Sequence, residues 1–275
     1  MRLGERILLR FSRDPDAPDL TDAVDDSTVD TALDGLRQAF PDLDQLITGA
    51  VVLDFGCGAG WQAIALARTG AAAVVGIDTN LRTLATARAL ALSENVENRV
   101  SFAPTLTPET RGTFDVVISQ NAFEHFDDPE GVLRTMTAAL RPGGRILITF
   151  GPPWFAPSGS HMHFFTRLPW INILFAESTV MRVRARYRTD GAQRYEDVES
   201  GLNRMTVRRF ERILRRCGLR AERRQYTCIR RISVLQYLPA LRELFINNVA
   251  CVLRKPGPVT STASEVSTRS EATTA

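Results

Sequence analysis

The chain has 275 residues, 44% of them hydrophobic, and a formal net charge of +3 at neutral pH. This is enough for one sizeable domain, or one domain with an insertion, that buries an ample core. Its apolar stretches are strand-length or carry charges and residues 1–6 lack a signal-peptide core, so we expect no membrane-spanning helix. Four cysteines without C-x-x-C spacing predict a reduced, cytoplasmic protein.

Charge is distributed unevenly along the chain. The first 50 residues carry 5 basic and 11 acidic side chains, whereas residues 151–255 carry 20 and 8. Residues rich in Asp and Pro follow position 12, so we interpret 1–27 as a mobile acidic segment. The main domain is predicted over 28–255, and the Ser/Thr-rich residues 256–275 are predicted to be a disordered tail.

Strands and helices alternate through the first half of the domain. A helix is expected over 28–40, after which residues 43–47 lead into the first strand. Strands are predicted at 51–55, 73–77, 100–103, 114–119 and 145–150, with helices at 61–69, 80–92 and 129–140. Such alternation produces a parallel sheet covered on both faces, with ligands outside the carboxyl ends of the strands. The loops after the strands are therefore expected to carry the function.

The most informative segment is the glycine-rich turn after the first strand. Residues 51–60 read VVLDFGCGAG, with Asp54 before glycines at alternate positions, and a helical pattern follows. Glycines in such a turn leave bare backbone where a ligand must approach closely. A dinucleotide fingerprint would need another glycine at position 61, where this chain has tryptophan. The second strand ends in Asp78, an acid placed to bind a ribose diol.

This D-x-G-x-G-x-G spacing with a later acid resembles the class I methyltransferases that use S-adenosylmethionine (SAM). In that family the glycine loop wraps the methionine end of SAM, and the acid after the second strand binds the ribose hydroxyls. The resemblance implies a set of SAM-binding residues, namely Asp54, Gly56, Gly58, Gly60, Asp78, Thr79 and Gln120.

The resemblance extends from about residue 45 to residue 254. It continues at the predicted fourth strand, at the turn and fifth strand over 140–149, and at a final strand over 248–253. It implies a Rossmann-like α/β fold, with a mostly parallel seven-stranded sheet, an antiparallel last strand and helices on both faces.

An aromatic-rich insertion interrupts the alternation after the fifth strand. We interpret residues 152–205 as a substrate cap, because long structured insertions in compact domains are usually functional. A helix face around Trp170 could instead pack on the core or on a second subunit, which leaves a homodimer open. Arginines at alternate positions over 182–188 suggest a strand with one basic face. Thr206 is a plausible N-cap for the next helix, and strands are expected at 219–229 and 246–253.

Three histidines occupy two loops near the centre of the predicted sheet. His125 follows the fourth strand, and His161 and His163 follow the fifth. All three could converge over the methyl donor, and a histidine is the obvious base for a hydroxyl acceptor near neutral pH. The predicted catalytic residues are therefore His125, His163, His161 and the adjacent Glu124.

Glu124 and His125 also resemble the E-x-x-E-H motif of ubiquinone-pathway O-methyltransferases and small-RNA ribose methyltransferases. In those families the motif and a downstream histidine bind a divalent metal that acidifies the hydroxyl. Asn121 stands here in place of the first acid, and an amide is a poorer, uncharged ligand. A metal site, a metal-free histidine base and simple orientation of the acceptor all stay open, and no metal ligand is assigned.

The leading hypothesis is a bacterial SAM-dependent methyltransferase acting on a hydroxyl of a small molecule, such as a sugar or a secondary metabolite. An RNA methyltransferase is the alternative, suggested by the basic second half, but no RNA-binding module is recognisable. The third hypothesis is a SAM-binding partner protein without catalysis. Fold and donor site do not specify the acceptor.

Overall fold

The computed structural model describes residues 1–15, 28–198, 201–229, 237–238 and 241–257. Seven strands form one sheet: β1 (Val51–Phe55), β2 (Ala73–Ile77), β3 (Val100–Ala103), β4 (Phe114–Gln120), β5 (Leu140–Phe150), β6 (Arg220–Cys228) and β7 (Ile246–Arg254). Their order is β3-β2-β1-β4-β5-β7-β6. Neighbouring strands from β3 to β5 pair in parallel, whereas β7 pairs antiparallel with both β5 and β6. The predicted sheet with its antiparallel last strand is confirmed.

Helices cover both faces of this sheet. Those in the described residues are α1 (Leu3–Arg10), α2 (Asp34–Ala39), α3 (Leu43–Ile47), α4 (Trp61–Thr69), α5 (Leu81–Ser93), α6 (Pro129–Ala139), α7 (Ile171–Leu174), α8 (Glu177–Arg184), α9 (Val207–Arg216) and α10 (Arg242–Phe245). One apolar cluster joins α2 to α5 with one sheet face, and a second joins α6 and α9 with the other. Burial of these two clusters supplies the main apolar contribution to stability.

Two helices begin with side-chain N-caps. The Asn80 side chain accepts hydrogen bonds at the start of α5, and the Thr206 side chain accepts one from the Arg209 backbone at the start of α9. Each such cap satisfies a backbone donor that the first helical turn leaves free. The predicted N-cap at Thr206 is confirmed.

The insertion after β5 builds a third apolar cluster of its own. Phe165, Val180 and Tyr195 are buried there, together with Leu8 of α1. Residues 1–27 were expected to be a mobile segment, but α1 is a helix whose Leu8 is fully buried. The sequence pattern hides this helix because one buried leucine stands among charged and exposed neighbours. Residues 16–27 lie outside the described part, and the domain limits stay a prediction.

Two other local predictions are wrong. Residues 182–188 were expected to be a strand, but α8 runs to Arg184 and a turn follows it. The alternation is interrupted because Arg184, which the pattern places outward, is buried against Asp190 with N–O distances of 2.6 and 2.5 Å. The helix expected over 28–40 is confined to α2, and residues 43–47 form α3 before β1.

The predicted disordered tail lies almost wholly outside the described residues, which end at position 257. Among the residues that are described, none belongs to a helix with the length and hydropathy needed to span a bilayer.

Candidate functional site

The glycine loop after β1 has the backbone conformation that the sequence suggests. Gly56, Gly58 and Gly60 have φ angles of 86°, 51° and 84°, in the left-handed region where side chains are disfavoured. A Cβ atom on Gly58 would meet nothing within 4 Å. A Cβ atom on Gly60 would lie 2.7 Å from the Ala87 side chain and 2.8 Å from Phe102. Gly58 therefore borders open space, whereas Gly60 permits close packing beneath the loop.

Asp54, at the end of β1, is a buried carboxyl group beside this loop. Its Oδ1 accepts a hydrogen bond from the Gln62 side chain at 2.6 Å, and its Oδ2 has no partner among the described residues. Burial raises the pKa of Asp54 to about 7, the Gln62 hydrogen bond opposes this rise, and the nearby Asp78 adds to it. The carboxyl group therefore has one oxygen available for a ligand and titrates near neutrality.

Asp78 follows β2 and fixes the glycine loop from the neighbouring strand. Its Oδ2 accepts a hydrogen bond from the Gly58 backbone at 2.9 Å, and its Oδ1 accepts one from the Asn80 backbone at 2.8 Å. A carboxylate oxygen has more than one acceptor position, so these bonds orient the group while leaving acceptor capacity free. Asp78 is part-buried, and the neighbouring Thr79 is exposed.

A cavity of about 330 Å³, which we call the donor cavity, lies over the loop. Its polar lining comes from Asp54, Gly56, Gly58, Gln62, Gln120 and Asn121, and its apolar lining includes Ala32 and Trp61. The structure thus brings four of the predicted SAM-binding residues, Asp54, Gly56, Gly58 and Gln120, to one cavity. Gly60 packs beneath the loop, and Asp78 is joined to the loop by its hydrogen bond from the Gly58 backbone.

A second cavity of about 230 Å³ adjoins the donor cavity, and Gln120 and Asn121 line both. Five amide side chains contribute to it, so we call it the amide groove: Gln38, Gln120, Asn121, Gln225 and Asn248. The sequence analysis missed four of these residues, all but Gln120, as site residues. A signal was present, since polar side chains stand on the two closing strands at positions where a covered sheet face would be apolar.

Glu124 lies in the loop after β4 and ties it to the loop after β5. Its Oε1 accepts a hydrogen bond from the Gly151 backbone at 3.0 Å, and its backbone carbonyl accepts one from Asn203 at 3.0 Å. Burial raises the pKa of Glu124, while its hydrogen bond to Gly151 and the nearby His125 oppose the rise. Glu124 lines neither the donor cavity nor the amide groove.

Two of the three predicted histidines contact each other. The rings of His125 and His161 meet edge to face, with centroids 5.6 Å apart. His125 Nδ1 is 2.7 Å from the Gly201 carbonyl, and His161 Nε2 is 3.2 Å from the Pro152 carbonyl. Because a carbonyl only accepts, each of these nitrogens carries the proton, and the other ring nitrogen is an acceptor. Burial lowers the pKa of His161 to about 4.

His163 is exposed, in contrast to this pair. None of the three histidines is among the residues that line the donor cavity or the amide groove.

These side chains do not fit the metal site of the E-x-x-E-H motif. Asn121 Oδ1 accepts a hydrogen bond from Thr149. Glu124 accepts a hydrogen bond from the Gly151 backbone, and His125 is hydrogen-bonded to the Gly201 carbonyl. Within the described ranges, no three His, Cys, Asp or Glu side chains are grouped as metal ligands would be.

Comparison with known proteins agrees with this geometry. Residues 53–148 match the sequence model of a family described as a methyltransferase domain. A ubiquinone biosynthesis O-methyltransferase of Aeromonas salmonicida is 39% identical over 103 residues, which are 37% of this chain and 43% of that protein. The chain matches half or less of the length of such curated relatives.

Two solved structures extend the likeness over most of the fold. A SAM-dependent methyltransferase from Mesorhizobium loti has a TM-score of 0.54 at 21% identity, covering 82% of this chain and 100% of that one. A geranyl diphosphate C-methyltransferase from Streptomyces coelicolor, in complex with S-adenosylhomocysteine (SAH), has a TM-score of 0.54 at 14% identity, covering 80% and 76%. At these identities the likeness concerns the fold alone. Residues 53–148 thus resemble a methyltransferase domain, and the fold is the one found in SAM-dependent methyltransferases.

The residues present fit SAM on three structural grounds. The open space above Gly58 accommodates a ligand against bare backbone. The unpartnered Asp54 Oδ2 offers an acceptor to a cationic group, and Asp78 is held in place by Gly58 and Asn80. These features match the roles that the sequence assigned to the loop and to the acid after β2.

Proposed function

We propose that this protein transfers a methyl group from SAM to a hydroxyl of a small molecule, such as a sugar or a secondary metabolite. The observation that carries the proposal is the pair of adjoining cavities at the carboxyl ends of the strands. One cavity is lined by the glycine loop and Asp54, and the other by uncharged polar side chains, with Gln120 and Asn121 between them. Donor and acceptor can thus be held side by side, as an in-line displacement requires.

SAM, when bound, supplies a methyl carbon activated by the positive charge on sulfur. The acceptor oxygen forms a bond to that carbon, the carbon–sulfur bond breaks with its electron pair on sulfur, and the hydroxyl proton leaves. The protein contributes to this displacement by aligning the two groups and by accepting the proton. The products are a methyl ether and SAH.

In the donor cavity, three features of the chain have distinct roles. The missing side chain at Gly58 lets a ligand approach the backbone, and Asp54 supplies a carboxylate for a cation. Asp78 holds the loop and offers its remaining acceptor positions to the ribose hydroxyls.

His125 is the proposed proton acceptor. The Gly201 carbonyl holds the proton on Nδ1, so Nε2 is left as an acceptor in the neutral ring. His161 packs edge-on against this ring, and its low pKa keeps it neutral at pH 7. His161, His163 and Glu124 are proposed as supporting members of the same catalytic region, and the aromatic insertion 152–205 as its cap.

The decisive experiment compares a glycine that borders the donor cavity with one that does not. Gly58 and Gly112 both have positive φ angles, 51° and 69°, and both have open space where a Cβ would lie. Alanine at either position carries a similar backbone strain of about 1–2 kcal/mol, but Gly58 alone of the two borders the donor cavity. Calorimetry should show SAM and SAH affinity lowered at least about tenfold by Gly58→Ala and unchanged by Gly112→Ala. Equal affinities in both variants would contradict the proposal.

A turnover assay completes the test. The purified protein is incubated with labelled SAM and a panel of hydroxylated small molecules, and SAH release and label transfer are measured. Label transfer to a hydroxyl supports O-methylation. Tight SAM binding without transfer to any acceptor would instead favour a non-catalytic SAM-binding protein.

The RNA alternative rests on the basic residues of the second half, and the structure pairs several of them with acids. Arg182 forms a salt bridge with Glu5 (Nε to Oε1, 2.6 Å), and Arg223 forms one with Asp42 (Nη2 to Oδ1, 2.6 Å). Arg204, Arg216 and Arg242 also form ion pairs. The basic charge is thus partly neutralised within the chain, and no observation favours RNA over a small acceptor.

A further inference from the structure

A row of paired residues, polar on three of four strands, lies next to the donor cavity. In the register of the sheet, Gln120 of β4 pairs with Thr149 of β5, Thr149 with Ala250 of β7, and Ala250 with Gln225 of β6. Paired residues on neighbouring strands point to the same face of a sheet. The row therefore presents two amides and a hydroxyl on one side, at the edge where ligands are expected.

The neighbouring row on the same face is apolar in β4, β5 and β7. Ile118 pairs with Leu147, and Leu147 pairs with Val252, all three in the core cluster beneath α2 to α5. On β4 and β5 the face therefore changes from core to polar within two residues. Side chains such as Gln225 cannot contribute to the core, and they line the amide groove instead.

Helix α2 forms the opposite wall of the groove and comes close to Gln120. Gln38 and Gly35 of α2 line the groove, and a Cβ on Gly35 would lie 3.0 Å from Gln120 Nε2. The glycine thus lets the helix approach the amide that separates the two cavities.

The hydrogen-bonding capacity of the groove is largely free. The Thr149 hydroxyl donates a hydrogen bond to the Asn121 side-chain oxygen, whereas the Asn121 side-chain nitrogen donates to no atom of the described residues. The side chains of Gln38, Gln120, Gln225 and Asn248 likewise form no hydrogen bond with the described part of the chain. Each amide has two donors and one acceptor oxygen, so the groove offers many neutral donors and acceptors in a small space.

The ten described residues that line the groove include no ionisable side chain. Arg223, on the adjacent row of β6, is paired with Asp42 at 2.6 Å. A phosphate or carboxylate in the groove would lose hydration without gaining a counter-charge from these residues, which is unfavourable. A wholly apolar ring would leave the amides without partners, which is also unfavourable.

We propose that the amide groove binds the acceptor as an uncharged, polyhydroxylated ring, such as a glycosyl or cyclitol unit, whose hydroxyls bond to the amides. This rests on the proposed function, since the groove meets the donor cavity at Gln120 and Asn121. At about 230 Å³ the groove holds one ring, with the rest of a larger acceptor outside. The amides thus select the ring, while the hydroxyl nearest the donor cavity reacts.

The test measures binding of neutral and charged probes to the protein saturated with SAH. A panel of methyl glycosides and cyclitols is compared with the corresponding sugar phosphates and uronic acids by saturation-transfer NMR. We compare the wild type with a Gln225→Leu, Asn248→Leu double variant and with Gln45→Ala, which alters an exposed amide outside the groove. Melting temperatures establish that the variants are folded.

We expect neutral probes to bind the wild type and the Gln45→Ala protein, and the double variant to bind them on the order of tenfold more weakly or more. The charged probes should bind more weakly than their neutral counterparts. The groove assignment is overturned if no neutral probe binds, if charged probes bind as well, or if the double variant binds like the wild type.

Calorimetry with SAH separates the two levels of the proposal. SAH binding in the wild type together with failure of the neutral probes refutes the groove assignment and leaves the proposed function standing. Failure of SAH itself to bind refutes the proposed function, whatever the probes do.

Discussion

Two buried carboxyl groups lie near the carboxyl ends of neighbouring central strands, and the two groups are used differently. Asp54 is the penultimate residue of β1, Glu124 lies in the loop after β4, and burial raises the pKa of both. Each has one oxygen in a hydrogen bond and one without a described partner. Asp54 lines the donor cavity, whereas Glu124 joins two loops away from both cavities. A raised pKa alone therefore does not identify a ligand site. The carboxyl group must also line a cavity that a ligand can enter, as Asp54 does.

The largest effect should come from the histidine beside Glu124, because it tests whether that loop is catalytic or structural. If His125 is the proton acceptor, His125→Ala should lower turnover roughly 10²- to 10⁴-fold, while SAM affinity persists. The kcat and the SAM dissociation constant are measured separately. A loss below about tenfold, with an unchanged pH profile, would make His125 a positioning residue for Gly201. Full activity of the His125→Ala, His163→Ala double variant would exclude both as bases.

The next effect concerns the donor loop. Replacing Asp78 with Ala removes the acceptor for the Gly58 backbone and the predicted partner of the ribose hydroxyls. We expect SAM affinity to fall by roughly 5- to 150-fold, corresponding to about 1–3 kcal/mol. Calorimetry measures it, with Asp44→Ala, an exposed acid on α3, as the control. Unchanged SAM affinity in Asp78→Ala would refute the ribose assignment.

A pH series sharpens the role of Asp54. A bound cation favours the carboxylate, so SAM affinity should fall as pH drops below about 7, by at most about tenfold per pH unit. Asp54→Asn should remove most of this dependence and bind SAM more weakly at pH 8. A pH dependence that survives in Asp54→Asn would assign the titration to another group.

Asp54→Asn should weaken SAM binding but stabilise the folded protein above neutral pH. The folded-state pKa of Asp54 lies above its ordinary value of 3.8, so the unfolded chain ionises first and stability is lost as pH rises from about 4 to about 7. Asp54→Asn removes this penalty, and its melting temperature should exceed that of the wild type at pH 8. A lower melting temperature would indicate that the carboxylate has a stabilising partner.

The smallest effect is expected at Glu124. Glutamine retains an oxygen for the Gly151 backbone, so Glu124→Gln should change kcat/KM and SAM affinity by less than about threefold. Glu124→Ala leaves that donor unpaired and should lower the free energy of unfolding by about 1–3 kcal/mol. We also expect EDTA to leave turnover unchanged. Loss of activity in EDTA that Mg²⁺ or Zn²⁺ restores, together with an inactive Glu124→Gln, would instead establish a metal site.

The donor side could be predicted from the sequence because its information is local. The strand, Asp54, the glycines and the next helix are consecutive, and positive φ angles select glycine at each turn position. The alternation of strands and helices predicts the parallel part of the sheet, and the family resemblance implies the antiparallel last strand. The polar residues on the closing strands were a signal for the amide groove, but its full composition could not be predicted, because Gln38, Gln120 and Gln225 come together only through strand pairing and the placement of α2.

The catalytic loops were predicted only in part. The sequence placed His125 and His161 in neighbouring loops, and the structure brings their rings into contact. It could not show that Gly201 and Pro152 hold these rings, since such contacts depend on how the insertion folds back. The helix α1 was missed for the same reason, because its one buried residue packs on distant parts of the chain.

The burial of Leu8 within the insertion also has a consequence for synthesis. Leu8 belongs to the same apolar cluster as Leu202, almost the whole domain later in the chain. At about 5–20 residues per second, the ribosome needs roughly 10–40 s to make the intervening polypeptide. Until the insertion is made, the cluster residues that cover Leu8 are missing, and Leu3, Ile7 and Phe11 stay exposed even in the finished fold. Helix α1 is therefore synthesised well before the part of the chain that buries Leu8.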